Sequence, residues 1–204
     1  MNPTETSVFL VRHTRVEAPG LCYGQTDAVP LAATFSAEAE AVRAALLAAL
    51  EPLLVAAESA GIPLYLVSSP AARCRVLAAF LAETLPEVLP ANAKTALLPP
   101  DPRLHELHFG TWENRPWAEL PPTELDPWMA NFVTAAPPGG ESFLDLAARA
   151  GAWRTAVARH APAVIIAVTH AGLIRALRCQ HAAVPLANAF EEFADVPYGT
   201  VVAV

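Results

Sequence analysis

Three short apolar runs, set far apart by stretches of helical character, constrain this chain more than any other feature. SVFLV (residues 7–11), LYLVS (64–68) and AVIIAVT (163–169) are unbroken and too short for buried helices. A strand that is apolar throughout is covered on both faces, which indicates a mainly parallel sheet between helical layers. The intervening sequence fits. Residues 35–60 are Ala/Leu-rich with polar residues at helical spacing, and Pro52 is expected to kink or split that helix. Gly61 and Pro63 are expected to end it. Ser69-Pro70 offers an N-cap serine and a first-turn proline to a helix over 71–84. Further helices are expected over 142–160 and 171–180, with lesser strands over 95–98 and 198–202.

Hydrophobic residues make up 54% of the 204-residue chain and charged residues 16%, enough for one sizeable core. A single domain over 7–204 is expected. Its Pro- and Trp-rich stretch 99–140 reads as an inserted lid, too short for a core of its own, with short helices near 117–120 and 123–133. The net charge of −7, without a block of lysines or arginines, argues against a general nucleic-acid binder. A polar start followed by a single strand gives no secretion leader, and the longest apolar stretch, 41–57, contains Arg43, Glu51 and Pro52, so no membrane span is expected. Cys22, Cys74 and Cys179 are odd in number and widely spaced, as for reduced thiols in a cytoplasmic protein.

The chemistry gathers where the apolar runs end. The first ends in Arg12-His13, the second in SSPAAR with Arg73, the third in THAG with His170. In a parallel sheet those carboxyl ends form one rim, where ligands bind. Arginine forks match phosphate oxygens, and helix N-termini add partial positive charge. LHELHFGTWEN (104–114) offers two candidate proton donors, Glu106 and Glu113. His105 and His108 are three residues apart in a proline-flanked stretch, not four apart on a helix, so a zinc site is not expected there. No other cluster has metal-ligand spacing, and no cofactor is expected. Trp112, Trp117 and Trp128 fit either core packing or an apolar wall for a ligand.

Taken in order, LVRHT, SSPAARCR, LHELHFGTWEN, PPGGES and VTHAGLIRAL resemble the motifs of the histidine phosphatase superfamily, which includes cofactor-dependent phosphoglycerate mutases and many phosphatases. The resemblance spans nearly the whole chain and implies a three-layer α/β/α sandwich of the phosphoglycerate mutase type. It implies a metal-independent phosphomonoesterase acting on a small phosphorylated metabolite. His13 would be the nucleophile that becomes phosphohistidine. Arg12, Arg73 and His170 would hold the phosphoryl oxygens, and Glu106 would donate the proton. Tyr23, Gly24 and Ala171 would lie beside the substrate. GLCYGQTD is similar to bacterial α-ribazole phosphatase-type members, which act in cobalamin assembly. The chain departs from the family pattern at Thr14, where glycine is usual, and at Asn114, where glycine is common. Val16 replaces the mutase-type hydroxyl, and the chain stops after the last strand without a mutase tail. A phosphoglycerate mutase and a catalytically inactive phospho-ligand-binding module are the alternatives.

Overall fold

The computed structural model describes residues 6–18, 20–27, 33–60, 62–89, 93–159 and 162–204. The first apolar run is β1 (Ser7–Arg12), and helix α1 (Phe35–Ala60) follows. Next come β2 (Leu64–Ser68), α2 (Ala72–Thr84) and the short β3 (Thr95–Leu97). After α3 (Pro122–Ala130) and α4 (Phe143–Ala158), the third run forms β4 (Val164–Thr169). Helices α5 (Ala171–Ala182) and α6 (Ala189–Glu192) precede β5 (Val201–Ala203). The sheet order is β3-β2-β4-β1-β5, and only β5 runs antiparallel.

Alternation along the strands explains the layers, because successive side chains leave a strand on opposite faces. Phe9, Val11, Leu66 and Ile166 pack with Leu46 and Leu50 of α1 and with Leu77 and Leu81 of α2. Val8, Leu10, Ile165 and Ala167 pack on the other face with Leu146 and Trp153 of α4 and with Ile174 and Leu177 of α5. All six residues of the central strand β4 are buried, which accounts for its unbroken apolar sequence. The fold is the α/β arrangement that the three runs imply.

Several local expectations are corrected. Helix α1 runs through Pro52 without splitting. Pro52 and Ala48 are both exposed, so the carbonyl that loses its partner meets water. Gly61 and His160, expected at helix ends, lie outside the described residues. Ser69 is not the N-cap of α2; Ala71 is. The last strand begins at Val201, and Tyr198 belongs to the turn before it. The stretch 99–140 has a small apolar cluster of Trp112 and Leu120, completed by Cys22 from another loop. No helix among the described residues is long and apolar enough to cross a membrane.

Candidate active site

Register brings the three strand ends together. Arg12 of β1 lies opposite Thr169 of β4, and Ser68 of β2 lies opposite Val168. The chain after each strand stays tied to β4, through His13 N to Thr169 O at 3.0 Å and Ser69 N to Val168 O at 2.9 Å. The His13 and His170 rings therefore meet edge to face, with centroids 5.2 Å apart.

His13 is buried, and its Nδ1 lies 2.6 Å from the Thr14 carbonyl. A carbonyl only accepts, so Nδ1 carries the hydrogen and Nε2 keeps its lone pair. Burial, then Arg73 and Arg12, bring the His13 pKa from 6.5 down to about 3, against the opposing pull of the Thr14 bond. The ring is neutral across the physiological range.

Arg73, in the first turn of α2, is also buried. Its Nη2 donates to Gly24 O at 2.5 Å and to His170 Nδ1 at 3.3 Å, and Nη1 donates to Thr26 O at 3.0 Å. Because Nδ1 of His170 accepts, its Nε2 donates, to Ser69 Oγ at 2.9 Å. This commitment of Ser69 helps explain why α2 starts later than expected. His170 lines the cavity, but both of its ring nitrogens are engaged within the protein. Its pKa lies well below the ordinary value, through burial first and then Arg73 and His13.

Arg12 donates from Nη1 to Val196 O at 2.5 Å, and its guanidinium lies 3.9 Å from the centre of the Tyr198 ring. Neither Arg12 nor Arg73 forms a salt bridge with a carboxylate among the described residues. Their partners are carbonyls, rings and one imidazole, so their positive charge is not neutralised in advance.

Glu106 reaches the same rim. Its carboxylate accepts from Leu107 N at 3.0 Å and from Gly172 N at 3.1 Å, at the start of α5, where helix N–H groups favour an anion. A Cβ at Gly172 would run into that carboxylate. The sequence did not single out Gly172 for this role; the lone glycine after His170 is its only signal.

Glu113 lies outside the cavity wall. Its carboxylate accepts from four backbone amides: Gly24 at 2.9 Å, Gln25 at 3.0 Å, Thr26 at 3.2 Å and Phe109 at 3.1 Å. It fixes the loop whose carbonyls hold Arg73. Gly24, expected beside the substrate, is not on the wall. It lacks a side chain because one would strike Leu107 O and Glu113. Tyr23 and Ala171 do line the cavity. Arg149 of α4, unflagged by sequence, bonds Glu141 at 2.6 Å and donates to the carbonyls of Arg103, His105 and Glu106. Glu141 lies in PPGGES, a motif that carried no assigned role.

The cavity has a volume of 530 Å³. Its cationic end holds Arg12, His13 and Arg73; Phe109, Trp117, Trp128, Phe132 and Phe190 form an aromatic part of the wall, and Glu106 and Arg175 also line it. Two of the three tryptophans of the stretch 99–140 thus face the cavity, whereas Trp112 is fully buried and donates to Glu124. Among the described residues no group of three or more His, Cys, Asp or Glu side chains is arranged to hold a metal ion.

A family model described as the histidine phosphatase superfamily (branch 1) matches residues 8–195. A search of curated proteins returns no match. Solved structures share the fold. The α-ribazole phosphatase from Shigella flexneri is 23% identical, with 97% of this chain and 89% of that chain covered and a TM-score of 0.70. A mycobacterial glucosyl-3-phosphoglycerate phosphatase is also 23% identical, covering 97% and 88%, with a TM-score of 0.70. A protein from Thermus thermophilus is 27% identical, covering 97% and 92%, with a TM-score of 0.63.

Proposed function

Because the chain belongs to the histidine phosphatase superfamily, we propose that it hydrolyses a small phosphomonoester through a phosphohistidine at His13. The observation that carries this reading is the state of His13. It is neutral, its Nδ1 hydrogen is committed to Thr14, and its Nε2 lone pair is available beside two arginines that form no salt bridge among the described residues. Nε2 attacks phosphorus while the ester oxygen leaves. Arg12 and Arg73 offset the charge on the phosphoryl oxygens, and His170 Nε2–H is the donor that a phosphoryl oxygen would take over from Ser69. Glu106, entering this step in its protonated form, gives that proton to the departing alkoxide. It then takes one from the water that attacks phosphohistidine, which restores His13 and releases phosphate. The arginines supply the positive charge, so the reaction needs no metal.

The aromatic wall supports a substrate with an apolar or aromatic body. Burying such a face contributes about 1–3 kcal/mol, or about 5–150-fold in kcat/KM over a bare sugar phosphate. α-Ribazole 5′-phosphate is the best single candidate, which would make this a cytoplasmic enzyme of cobalamin assembly. GLCYGQTD and the α-ribazole phosphatase among the structures sharing the fold support it.

The test has two arms. Quenched turnover of a radiolabelled phosphomonoester should leave acid-labile phosphate on His13 and none in His13→Asn; label on His170 instead would reverse the assignment. In parallel, kcat/KM is compared for α-ribazole 5′-phosphate, fructose phosphates, 3-phosphoglycerate and phosphotyrosine. A win by 3-phosphoglycerate or a sugar phosphate of about tenfold or more would remove the apolar-wall argument.

A further inference from the structure

Arg12 and Arg73 reach the phosphoryl site from different strand ends, and both are cations on the wall of one cavity. Like charges there repel strongly, so something neutral must set their separation. Two tyrosines stand in the right places. The Arg12 guanidinium lies 3.9 Å from the centre of the Tyr198 ring, and that of Arg73 lies 5.1 Å from the centre of the Tyr23 ring. The two phenol oxygens are 2.7 Å apart. The Tyr198 ring also packs beside the His13 ring, 5.5 Å between centroids. A continuous line of contact therefore runs from Arg12 through Tyr198 and Tyr23 to Arg73, with the proposed nucleophile touching its middle.

We propose that the Tyr23–Tyr198 hydrogen bond is a gauge that fixes the spacing of the two phosphoryl-binding arginines, with Tyr198 acting as a positioning residue from behind the cavity wall. This rests on the reading of the arginine cluster as the phosphoryl site. Phenols suit the task better than carboxylates would. Their ring faces hold a guanidinium without cancelling its charge, so both arginines keep their full attraction for a phosphoryl dianion. Burial, reinforced by the bond to Tyr198, pushes the Tyr23 pKa upward, so Tyr23 stays neutral over the working range. Nothing in the motif reading pointed to Tyr198, which the sequence placed inside a strand.

The test is a double-mutant cycle of Tyr23→Phe and Tyr198→Phe, which removes the hydroxyls and keeps both rings. The readouts are the dissociation constant of orthovanadate by calorimetry, kcat/KM on para-nitrophenyl phosphate, and the melting temperature. Each single variant should weaken vanadate binding about three- to tenfold, and the double variant should be no worse than the weaker single. Tyr198→Leu, which also removes the ring over Arg12, should weaken it further. Additive losses, or a loss confined to Tyr23→Phe, would overturn the gauge, the latter by showing direct contact between the Tyr23 hydroxyl and the ligand. If Tyr198→Phe fails to fold, the proposal stands or falls on Tyr23→Phe, where loss of stability without weaker vanadate binding defeats it. Tight vanadate binding without turnover would sink the phosphatase reading and leave the gauge intact. Absence of vanadate binding by the wild-type protein would sink both.

Discussion

At the scale of single residues, the two glutamates of LHELHFGTWEN do different work. Glu106 sits on the cavity wall, so Glu106→Gln should cost about 10²–10⁴ in kcat on an alkyl phosphate. The loss should shrink sharply on para-nitrophenyl phosphate, whose leaving group hardly needs a proton; equal losses on both would mean that Glu106 positions and does not protonate. Glu113→Gln turns two of the four satisfied acceptor contacts into a donor facing donors, because each carboxylate oxygen accepts from two amides. It should cost about 1.5–3 kcal/mol in urea denaturation and reduce kcat/KM equally for good and poor leaving groups, because the loop that holds Arg73 shifts. His13 carries a pH prediction. Between pH 6.5 and about 3 the unfolded chain gains a proton at residue 13 and the folded chain does not, so stability falls as pH falls through that window. Melting curves should show it, with a shallower fall in His13→Asn; an unchanged slope would place the acid sensitivity elsewhere. Residue identity at the strand ends was legible because arginine and histidine are out of place after a buried run. The work of Glu113, Gly172 and Arg149 was not, because it consists of contacts with backbone atoms, which leave no pattern in side-chain identity.

At the scale of elements, α4 is latched to the acid-bearing segment by Arg149. One guanidinium holds Glu141 and three carbonyls, including that of Glu106 itself. Arg149→Met leaves Glu141 half-buried without its partner and frees those carbonyls, so a loss of about 2–4 kcal/mol is expected. Its kinetic mark should resemble a mild Glu106 defect, larger on poor leaving groups; a stability loss with an unchanged leaving-group profile would limit the latch to a structural role. The same scale shows where sequence reading erred. Ser69-Pro70 has the composition of a helix start, yet the serine hydroxyl meets His170, a residue about a hundred positions later. Tyr198 has the composition of a strand residue, yet it is drawn to Arg12 and Tyr23. Local propensity cannot see partners that only the folded sheet supplies. The three short apolar runs were read correctly because burial on both faces leaves its own unmistakable record.

At the scale of the whole molecule, a protein of net charge −7 presents a cationic floor at one end of its sheet. The cations there are side chains, and His105, the first histidine of the zinc-like spacing, lies 3.5 Å from Ser69 Oγ. If, as proposed, arginines do the electrostatic work that a metal would otherwise supply, dialysis against EDTA should leave kcat/KM within about twofold of its starting value. Loss of activity restored by zinc or magnesium would overturn this. The cavity also joins two parts of the chain. Its floor hangs from strands buried on both faces, where any change is felt throughout the core. Much of its wall comes from the stretch 99–140, whose packing centres on the small cluster of Trp112, Leu120 and Cys22. On the proposed function, substitutions in the wall should change which alcohol is accepted at little cost to folding, whereas substitutions in the floor should disturb the sheet beneath it.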